Sequence, residues 1–420
     1  MADNDSSSVQ AADPIAVTFV VWQGLSAVLP QTSQNVGGLE VFAWRLAKKL
    51  AEQPDIQTQF IVRSPGGVHG QRIDGVQLSP HTDRREYIRR NVSSCLDAHS
   101  PLRLKRIDPK LLWQIPYLAV TWPWRRRDPL PRTPDPRLIE LSPDLWVTLG
   151  ASRESAGVVA TARAQNKPSM LLIQSNADLD PHYLVDPDFR NAYGELASDC
   201  CYAIQQATEV VCQTDNQAGL LREHFGREGV IVRNSTDPLP WQQAAEHPGD
   251  YVLWIGRYDR VHKRPHLAIE IAQRCPDIPF RMIVNPSADD VRDEIRARCP
   301  DNVELIDYVP FDQQPELFGK SRLYLSTGNA DYEGFPTVLL QAVAGGKPIV
   351  SLKDFDQFIA KSESGTVTGL AIDDAVAAIK KFWDHPDDYD GSAAYRFLNQ
   401  YHTIESTTQQ VSDLVRRLTS

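Results

Sequence analysis

The stretch from 323 to 350 constrains the fold more than any other part of the sequence. It begins with an apolar run, Leu323–Leu325, that predicts a buried strand, and the polar loop after this run ends at Glu333. A helix can begin at Pro336, because a proline has no N–H group to leave unpaired at a first helical position. Gly345-Gly346 can end that helix, and a second apolar run follows. The stretch therefore predicts a strand, loop, helix and strand unit of an α/β protein.

The loop and the first turns of this helix are suited to ligand binding. Glu333 would lie at the mouth of the strand-to-helix turn, and Gln341 would lie about one and a half turns into the helix. The free N–H groups at such a helix start suit a phosphate group. Because any α/β unit can show this order of elements, a second motif is needed to interpret it.

That second motif lies upstream and supplies positive charge. Tyr251–Ile255 reads as a fully buried strand, and it is followed by Arg257, a polar loop, Lys263 and a proline that can open a helix. A diphosphate leaving group gains negative charge as its bond to a sugar breaks, and fixed cations lower that barrier. Either cation alone would read as part of a solvated loop. His262 and His266 beside them are predicted to be loop and helix surface.

Together the two motifs resemble the donor site of retaining GT-B glycosyltransferases, in particular the family-four enzymes called glycosyl transferases group 1. In that family a Glu binds hydroxyls of the transferred sugar, and a second Glu eight positions later holds the ribose. The resemblance implies that Glu333 binds the sugar, that Gln341 holds the ribose through an uncharged amide, and that Arg257 and Lys263 bind the diphosphate. It implies that three residues are catalytic: Arg257, Lys263 and Glu333. It also implies that the loop and helix start contribute to donor binding: Gly334, Phe335, Pro336 and Thr337.

The N-terminal half carries a similar unit. Ile15–Trp22 reads as a strand, a long polar loop runs to Gly37-Gly38, and a helix and a strand at Gln57–Val62 follow. The resemblance implies that Gly37 and Gly38 lie near the donor phosphate and the acceptor, although a plain tight turn explains the glycines nearly as well.

Length favours two domains, because 420 residues with 42% hydrophobic content exceed the size at which single cores stop growing, about 250–300 residues. The resemblance implies a GT-B fold, an α/β architecture of two Rossmann-like domains that face each other across a cleft. We predict a flexible tail at 1–12 and an N-terminal, acceptor-side domain at 13–240 plus 395–420. A C-terminal nucleotide-sugar-binding domain is predicted at 241–394, with the final helix crossing back.

Charge is unevenly distributed along the chain. The net charge of −10 argues against nucleic acid as a partner. Residues 84–127 hold eleven basic and three acidic residues, a balance of +8 that leaves the rest near −18. Many aromatic and aliphatic residues are interleaved with these charges. Such a segment can contact an anionic membrane surface or hold an anionic acceptor, and a core element with a solvated basic rim is at least as good an explanation.

Other sequence features bear on the cellular setting. No run of about eighteen apolar residues occurs, and the first residues are polar and acidic rather than typical of a signal peptide. The six cysteines show neither C-x-x-C pairs nor metal-ligand spacing. We therefore expect a cytoplasmic protein with reduced thiols and neither metal nor cofactor beyond the donor substrate. Peripheral contact with the inner membrane face remains open.

Some positions depart from the family pattern. Many members carry a His after the strand that here ends at Gln174, whereas this chain offers Ser175, Asn176 and Asp178. Of these, Asn176 and Asp178 are candidates for sugar or acceptor contacts. The resemblance implies sugar transfer with retention from a nucleotide diphosphate sugar to the hydroxyl of a carbohydrate or lipid-linked acceptor, in polysaccharide or glycolipid assembly. In that mechanism the leaving phosphate takes the acceptor's proton, so that a dedicated base is not needed. Three alternatives share the fold: a non-catalytic nucleotide-sugar-binding protein, a GT-B phosphorylase or sugar-nucleotide epimerase, and a membrane-surface scaffold.

Overall fold

The computed structural model describes residues 13–29, 38–64, 66–82, 84–96, 107–124, 130–191, 193–246 and 249–420. The predicted tail at 1–12 and Gly37 lie outside the described residues. The described part forms two α/β domains, each built on a largely parallel sheet.

The N-terminal domain contains one sheet flanked by helices. Its strands are β1 (Ile15–Val20), β2 (Ile56–Ser64), β3 (Gln71–Ile73), β4 (Val76–Thr82), β5 (Leu145–Leu149), β6 (Ser169–Leu172), β7 (Glu209–Cys212) and β8 (Val230–Ile231). Its helices are α1 (Leu25–Val28), α2 (Gly38–Ala51), α3 (Arg84–Ser94), α4 (Leu111–Val120), α5 (Arg153–Ala164), α6 (His182–Val185), α7 (Ala197–Gln206) and α8 (Asp215–Phe225). The strand order is β3-β4-β2-β1-β5-β6-β7-β8, and within the described ranges the antiparallel pair is β3 with β4. The first strand ends at Val20, slightly before the predicted end at Trp22.

The C-terminal domain contains a fully parallel sheet in the part of the chain that the structure describes. Its strands are β9 (Tyr251–Arg257), β10 (Phe280–Asn285), β11 (Val303–Ile306), β12 (Ser321–Ser326), β13 (Ile349–Ser351) and β14 (Gly365–Val367). Its helices, with the segment joining the domains, are α9 (Leu239–Gln243), α10 (Pro265–Gln273), α11 (Asp289–Arg298), α12 (Gln314–Lys320), α13 (Thr337–Ala344), α14 (Phe358–Ser362) and α15 (Ile372–Asp384). The strand order is β11-β10-β9-β12-β13-β14. Neighbouring strands are numbered downwards as far as β9 and upwards from β12, so the strand order reverses between β9 and β12 although all strands are parallel. Ligands of open parallel sheets bind at that reversal, beyond the carboxyl ends of the strands.

The chain returns to the N-terminal domain through its last two helices, α16 (Ser392–Tyr401) and α17 (Ile404–Thr419). Ala394 and Leu398 of α16 lie in the core of the C-terminal domain, whereas Val411 and Val415 of α17 lie in the N-terminal core. The crossing therefore falls between the two helices, at His402 and the following residue. The predicted boundary at 395 is too early, because an amphipathic pattern shows that α16 has a buried face but not which core covers it.

The two domains meet through loops that follow strands of their sheets. The loop after β6 meets the loop after β12 through an isolated β-bridge between Ser175 and Glu333. The site predicted from the sequence thus lies where the two domains touch. In the described ranges, no helix combines the length and the apolar character needed to cross a bilayer.

Candidate functional site

Lys263 and Glu333 form the centre of the candidate site. Lys263 lies in the loop after β9 and Glu333 in the loop after β12, on the two strands that flank the reversal of strand order. The Lys263 Nζ donates to Glu333 Oε2 at 2.8 Å, and the Glu333 side chain is 10% exposed. The other oxygen, Oε1, is buried and has no hydrogen-bond partner among the described residues. A buried carboxylate oxygen without a partner is costly, so this geometry suits a ligand hydroxyl.

Arg257, at the end of β9, is held by a different acid. Its Nε and Nη2 atoms lie 3.2 and 3.1 Å from Asp259 Oδ2, and its side chain is 43% exposed. The charge of Arg257 also reaches Glu40, in the first turn of α2. Burial raises the pKa of Glu40, while a backbone hydrogen bond and Arg257 oppose that rise. The structure therefore places an exposed guanidinium between the domains, where an anionic ligand can reach it.

Arg264 was not singled out in the sequence, but it fixes the loop that carries Lys263. Its side chain donates to Thr327 O at 2.7 Å and to Gly328 O at 2.5 Å, which ties the loop after β9 to the loop after β12. The backbone of Arg264 has φ of 50°, a left-handed conformation that is uncommon outside glycine. These bonds hold the Lys263 loop and the Glu333 loop side by side.

The residues after Glu333 differ in their surroundings. A Cβ on Gly334 would lie 2.4 Å from Gln174 O, so a side chain would collide with the N-terminal domain. Phe335 is buried, and its ring stacks on His402 with centroids 5.5 Å apart. Its backbone O and N–H are bonded to Asn234 and Gln213, and its part in donor binding stays a prediction. Pro336 caps α13, and Thr337 is the first helical residue, one position later than predicted.

Gln341, the predicted ribose ligand, is buried in α13. Its side chain is 4% exposed, and its Oε1 has no hydrogen-bond partner in the described part of the chain. Like Glu333, it presents an acceptor that a ligand hydroxyl could satisfy. The ribose role stays a prediction.

Gly38 is the first residue of α2 and is exposed. A Cβ at this position would meet nothing within 4 Å, so the described neighbours do not explain the glycine. Its predicted role near the phosphate stays a prediction.

The loop after β6 contributes polar groups from the N-terminal domain. Asn176 Nδ2 donates to Ala330 O at 2.6 Å, while its Oδ1 is buried without a partner among the described residues. Asp178 is buried and accepts from the N–H groups of Gln174, Ser175 and Ala151. Burial raises the pKa of Asp178 to about 6, although these amide donors oppose it. Asp178 thus holds the loop in place, whereas Asn176 keeps an acceptor for a ligand.

His262, predicted to be surface, is buried at the boundary between the domains and is 6% exposed. Its Nδ1 lies 3.0 Å from Asp259 Oδ2, and its Nε2 lies 2.9 Å from the hydroxyl of Tyr193 in the other domain. The prediction was wrong because burial comes from the N-terminal domain, which no local pattern around His262 indicates. The spacing of Asp259 and His262, three residues apart, was the one local sign of their contact.

A second surface lies on α4 and the short 3-10 helix after it, Trp122–Trp124. Leu111 and Gln114 pack inwards, whereas the opposite face exposes apolar side chains. The exposed fractions are 84% for Leu112, 67% for Val120 and 61% for Trp122. This exposure is not typical of a core helix, although Ile88 of α3 and Leu111 of α4 are buried, as the explanation of a core element with a solvated rim expects.

Comparisons with known proteins agree with the fold and the motifs. Residues 236–390 match the family model for glycosyl transferases group 1, so the predicted resemblance is confirmed for the C-terminal domain. No curated protein sequence matches the chain. The family match and the fold support glycosyltransferase activity.

Solved structures share the whole two-domain fold, which confirms the predicted GT-B architecture. Sucrose-phosphate synthase (tll1590) from Thermosynechococcus elongatus is 13% identical, with a TM-score of 0.68 over 96% of this chain and 99% of that chain. Anabaena Alr3699/HepE in complex with UDP and glucose is 14% identical, with a TM-score of 0.66 over 95% of this chain and 99% of that chain. An α,α-trehalose-phosphate synthase (UDP-forming) from Burkholderia vietnamiensis is 12% identical, with a TM-score of 0.63 over 96% and 100%.

Proposed function

We propose that this protein transfers a sugar, with retention, from a nucleotide diphosphate sugar to an acceptor hydroxyl. The observation that carries the proposal is the buried Glu333 Oε1 without a partner beside Lys263, at the reversal of strand order between β9 and β12. An oxygen held there as an acceptor, next to a cation, matches the needs of a sugar hydroxyl and a neighbouring diphosphate. The likeness to Alr3699/HepE, solved with UDP-glucose, makes UDP-sugars the first donors to test.

Each predicted residue has a distinct part in this proposal. Arg257 and Lys263 stabilise the negative charge that develops on the departing diphosphate. Glu333 orients the sugar, and Gln341 accepts from the ribose. The leaving phosphate takes the acceptor's proton, which removes the need for a separate base. The acceptor is a carbohydrate or a lipid-linked carbohydrate, and polysaccharide or glycolipid assembly is the setting that we propose by analogy.

The test is a donor screen on the wild type and on Lys263→Ala, with UDP-, GDP- and ADP-sugars. Thermal shift measures binding as the difference between each protein with and without ligand, so that the instability caused by an unpaired Glu333 cancels. Lys320→Ala is the matched control, since Lys320 forms an exposed pair with Glu316 in the same domain. We expect one nucleotide to stabilise the wild type and the control, with much less effect on Lys263→Ala.

Release of the nucleotide separates an enzyme from a binding protein. Release that depends on an acceptor and is lost in Lys263→Ala would establish the transferase. Binding without release from any acceptor offered would favour the non-catalytic alternative. If no nucleotide shifts the wild type, the donor-site assignment is wrong.

We also propose that the surface on α4 contacts an anionic membrane surface. The exposed Leu112, Val120 and Trp122 belong to the segment 84–127, whose charge balance is +8. Anionic lipids attract basic segments by about 1 kcal/mol per basic residue. Neutralising the run 125–127 to Gln should therefore lower binding to phosphatidylglycerol-containing vesicles by about two orders of magnitude. Leu370→Ser, which alters an exposed leucine of the other domain, is the control. Equal sedimentation with neutral and anionic vesicles would contradict this proposal.

A further inference from the structure

Tyr193 brings a third polar group to the neighbourhood of Glu333 and Asn176. It lies between α6 and α7 in the N-terminal domain, and its ring stacks on His262 of the C-terminal domain with centroids 5.3 Å apart. Tyr193 as a whole is 48% exposed, but its hydroxyl lies 2.9 Å from the buried His262. The electrostatic influence of both Arg257 and Glu333 reaches this hydroxyl. Tyr193 therefore borders the site that holds the predicted donor ligands.

The hydrogen bonds fix which way the Tyr193 hydroxyl points. Asp259 accepts from the backbone N–H of His262 at 2.7 Å and lies 3.0 Å from its Nδ1, so the ring proton sits on Nδ1. The His262 Nε2 is then an acceptor, and the Tyr193 hydroxyl donates to it at 2.9 Å. The Ser175 Oγ lies farther away, at 3.4 Å, and donates its own proton to Tyr332 O. The oxygen of Tyr193 is left with lone pairs that can accept a hydrogen bond.

Asp259 stays ionised and so maintains this arrangement. Burial raises the pKa of Asp259, but hydrogen bonds from His262 and the charge of Arg257 outweigh burial and hold the pKa well below its usual range. Arg257 and His262 both contact the Asp259 carboxylate. Asp259 therefore links Arg257, which is predicted to bind the diphosphate, to the His262–Tyr193 pair.

Three oxygen atoms in the neighbourhood of Glu333 share one property: they can accept hydrogen bonds. Glu333 Oε1 and Asn176 Oδ1 are buried without partners in the described residues, and the Tyr193 oxygen keeps an open lone pair. A sugar offers several O–H donors on one rigid ring. Acceptors that both domains bring to the neighbourhood of Glu333 could bind such a ring, which would leave fewer of these oxygens unsatisfied.

We propose that the Tyr193 hydroxyl, oriented by His262 and Asp259, accepts a hydrogen bond from a hydroxyl of the transferred sugar next to Glu333. This inference rests on the proposed function and deepens it by naming a sugar contact that comes from the N-terminal domain. His262 and Asp259 act as positioning residues, since they work through Tyr193.

The test uses calorimetry to measure the affinity for each nucleotide glucose and for the corresponding nucleoside diphosphate. The pairs are UDP-glucose and UDP, GDP-glucose and GDP, and ADP-glucose and ADP. Tyr193→Phe removes one oxygen and keeps the ring on His262. We expect it to bind the preferred nucleoside diphosphate within about twofold of the wild type and to bind the corresponding nucleotide glucose about tenfold more weakly. Tyr401→Phe, an exposed tyrosine on α16, is the control and should change neither affinity.

Two variants of His262 separate positioning from plain packing. His262→Gln can still offer an amide oxygen to Tyr193, whereas His262→Asn can still donate to Asp259 but falls short of Tyr193. We expect the loss of preference for the sugar nucleotide to be larger in His262→Asn.

The outcomes distinguish this inference from the function on which it rests. If Tyr193→Phe binds the sugar nucleotide as well as the wild type does, while Lys263→Ala loses nucleotide binding, only the inference about Tyr193 is wrong. If Tyr193→Phe weakens both ligands equally, the residue is a structural contact between domains and the inference is also wrong. If Lys263→Ala retains full nucleotide binding, the proposed donor site itself fails.

Discussion

Acid should destabilise this protein through one buried histidine, His402, at the crossing between the domains. The ring is 3% exposed, lies on Phe335 with centroids 5.5 Å apart, and has its Nδ1 2.7 Å from Asn234 O. Burial lowers the pKa of His402 to about 4, against an ordinary value near 6.5. The hydrogen bond to Asn234 and the charge of Asp356 oppose this shift, while Arg233 favours it.

The sign and size of the effect follow from that shift. The unfolded chain binds a proton on His402 below about pH 6.5, whereas the folded chain stays neutral until about pH 4. The stability from this group is therefore fully present above pH 6.5 and is lost as the pH falls to 4. At about 1.4 kcal/mol per pKa unit, the loss is about 3 kcal/mol.

The assay is urea unfolding followed by tryptophan fluorescence at several values from pH 7 to 4, for the wild type and His402→Gln. Glutamine can still donate to Asn234 O but does not titrate, so the wild type should lose about 3 kcal/mol more than the variant over this range. His385→Gln, at an exposed histidine, is the control and should follow the wild type. A constant difference between wild type and His402→Gln from pH 7 to 4 would refute the reasoning.

Three further predictions test the site and its supports. Gly334→Ala should cost about 1–3 kcal/mol and weaken donor binding, since its Cβ would lie 2.4 Å from Gln174 O; Gly219→Ala in α8 has open space and should be neutral or stabilising in the same unfolding assay. Ionisation of Asp178 should lower the free energy of unfolding by about 3 kcal/mol as the pH rises from about 4 to 6, because the pKa of Asp178 in the folded protein is raised to about 6. Thermal unfolding of Asp178→Asn over this pH range should not show this decrease. Gln341→Leu should leave the unliganded protein as stable as before and lower nucleotide affinity about tenfold in calorimetry, because the acceptor it removes has no partner among the described residues. Unchanged affinity in Gln341→Leu would contradict the ribose role.

The fold could be predicted to the extent that local patterns determine it. Buried apolar runs and glycine or proline signals located β9, β12 and α13, and each lies within a few residues of its predicted place. The number of strands and their order depend on pairing between distant segments. The assignment of α16 to the C-terminal core likewise depends on contacts with distant segments, because the buried face of a helix does not identify its neighbours.

In the candidate site, too, residues within local motifs could be predicted from the sequence, whereas residues brought in by the other domain could not. Lys263 and Glu333, which are predicted to bind one donor, meet at 2.8 Å although they are 70 residues apart. Their meeting follows from parallel strands whose carboxyl ends share one edge. Tyr193 gave no local signal, since its contact with His262 depends on how one domain approaches the other.

Contacts between the domains surround Glu333 in this structure, and they bear on how a donor enters. Ser175 donates to Tyr332 O and Asn176 donates to Ala330 O, and both acceptors belong to the loop that carries the unpaired Glu333 Oε1. A sugar can occupy that space only if some of these bonds open first, and each costs about 0.5–1.5 kcal/mol. The bonds that the sugar then makes to the unpaired acceptors offset this cost, whereas a nucleoside diphosphate without a sugar cannot make them. The unpaired acceptors, and not the contacts that close the cleft, should therefore favour the complete donor over its nucleotide product.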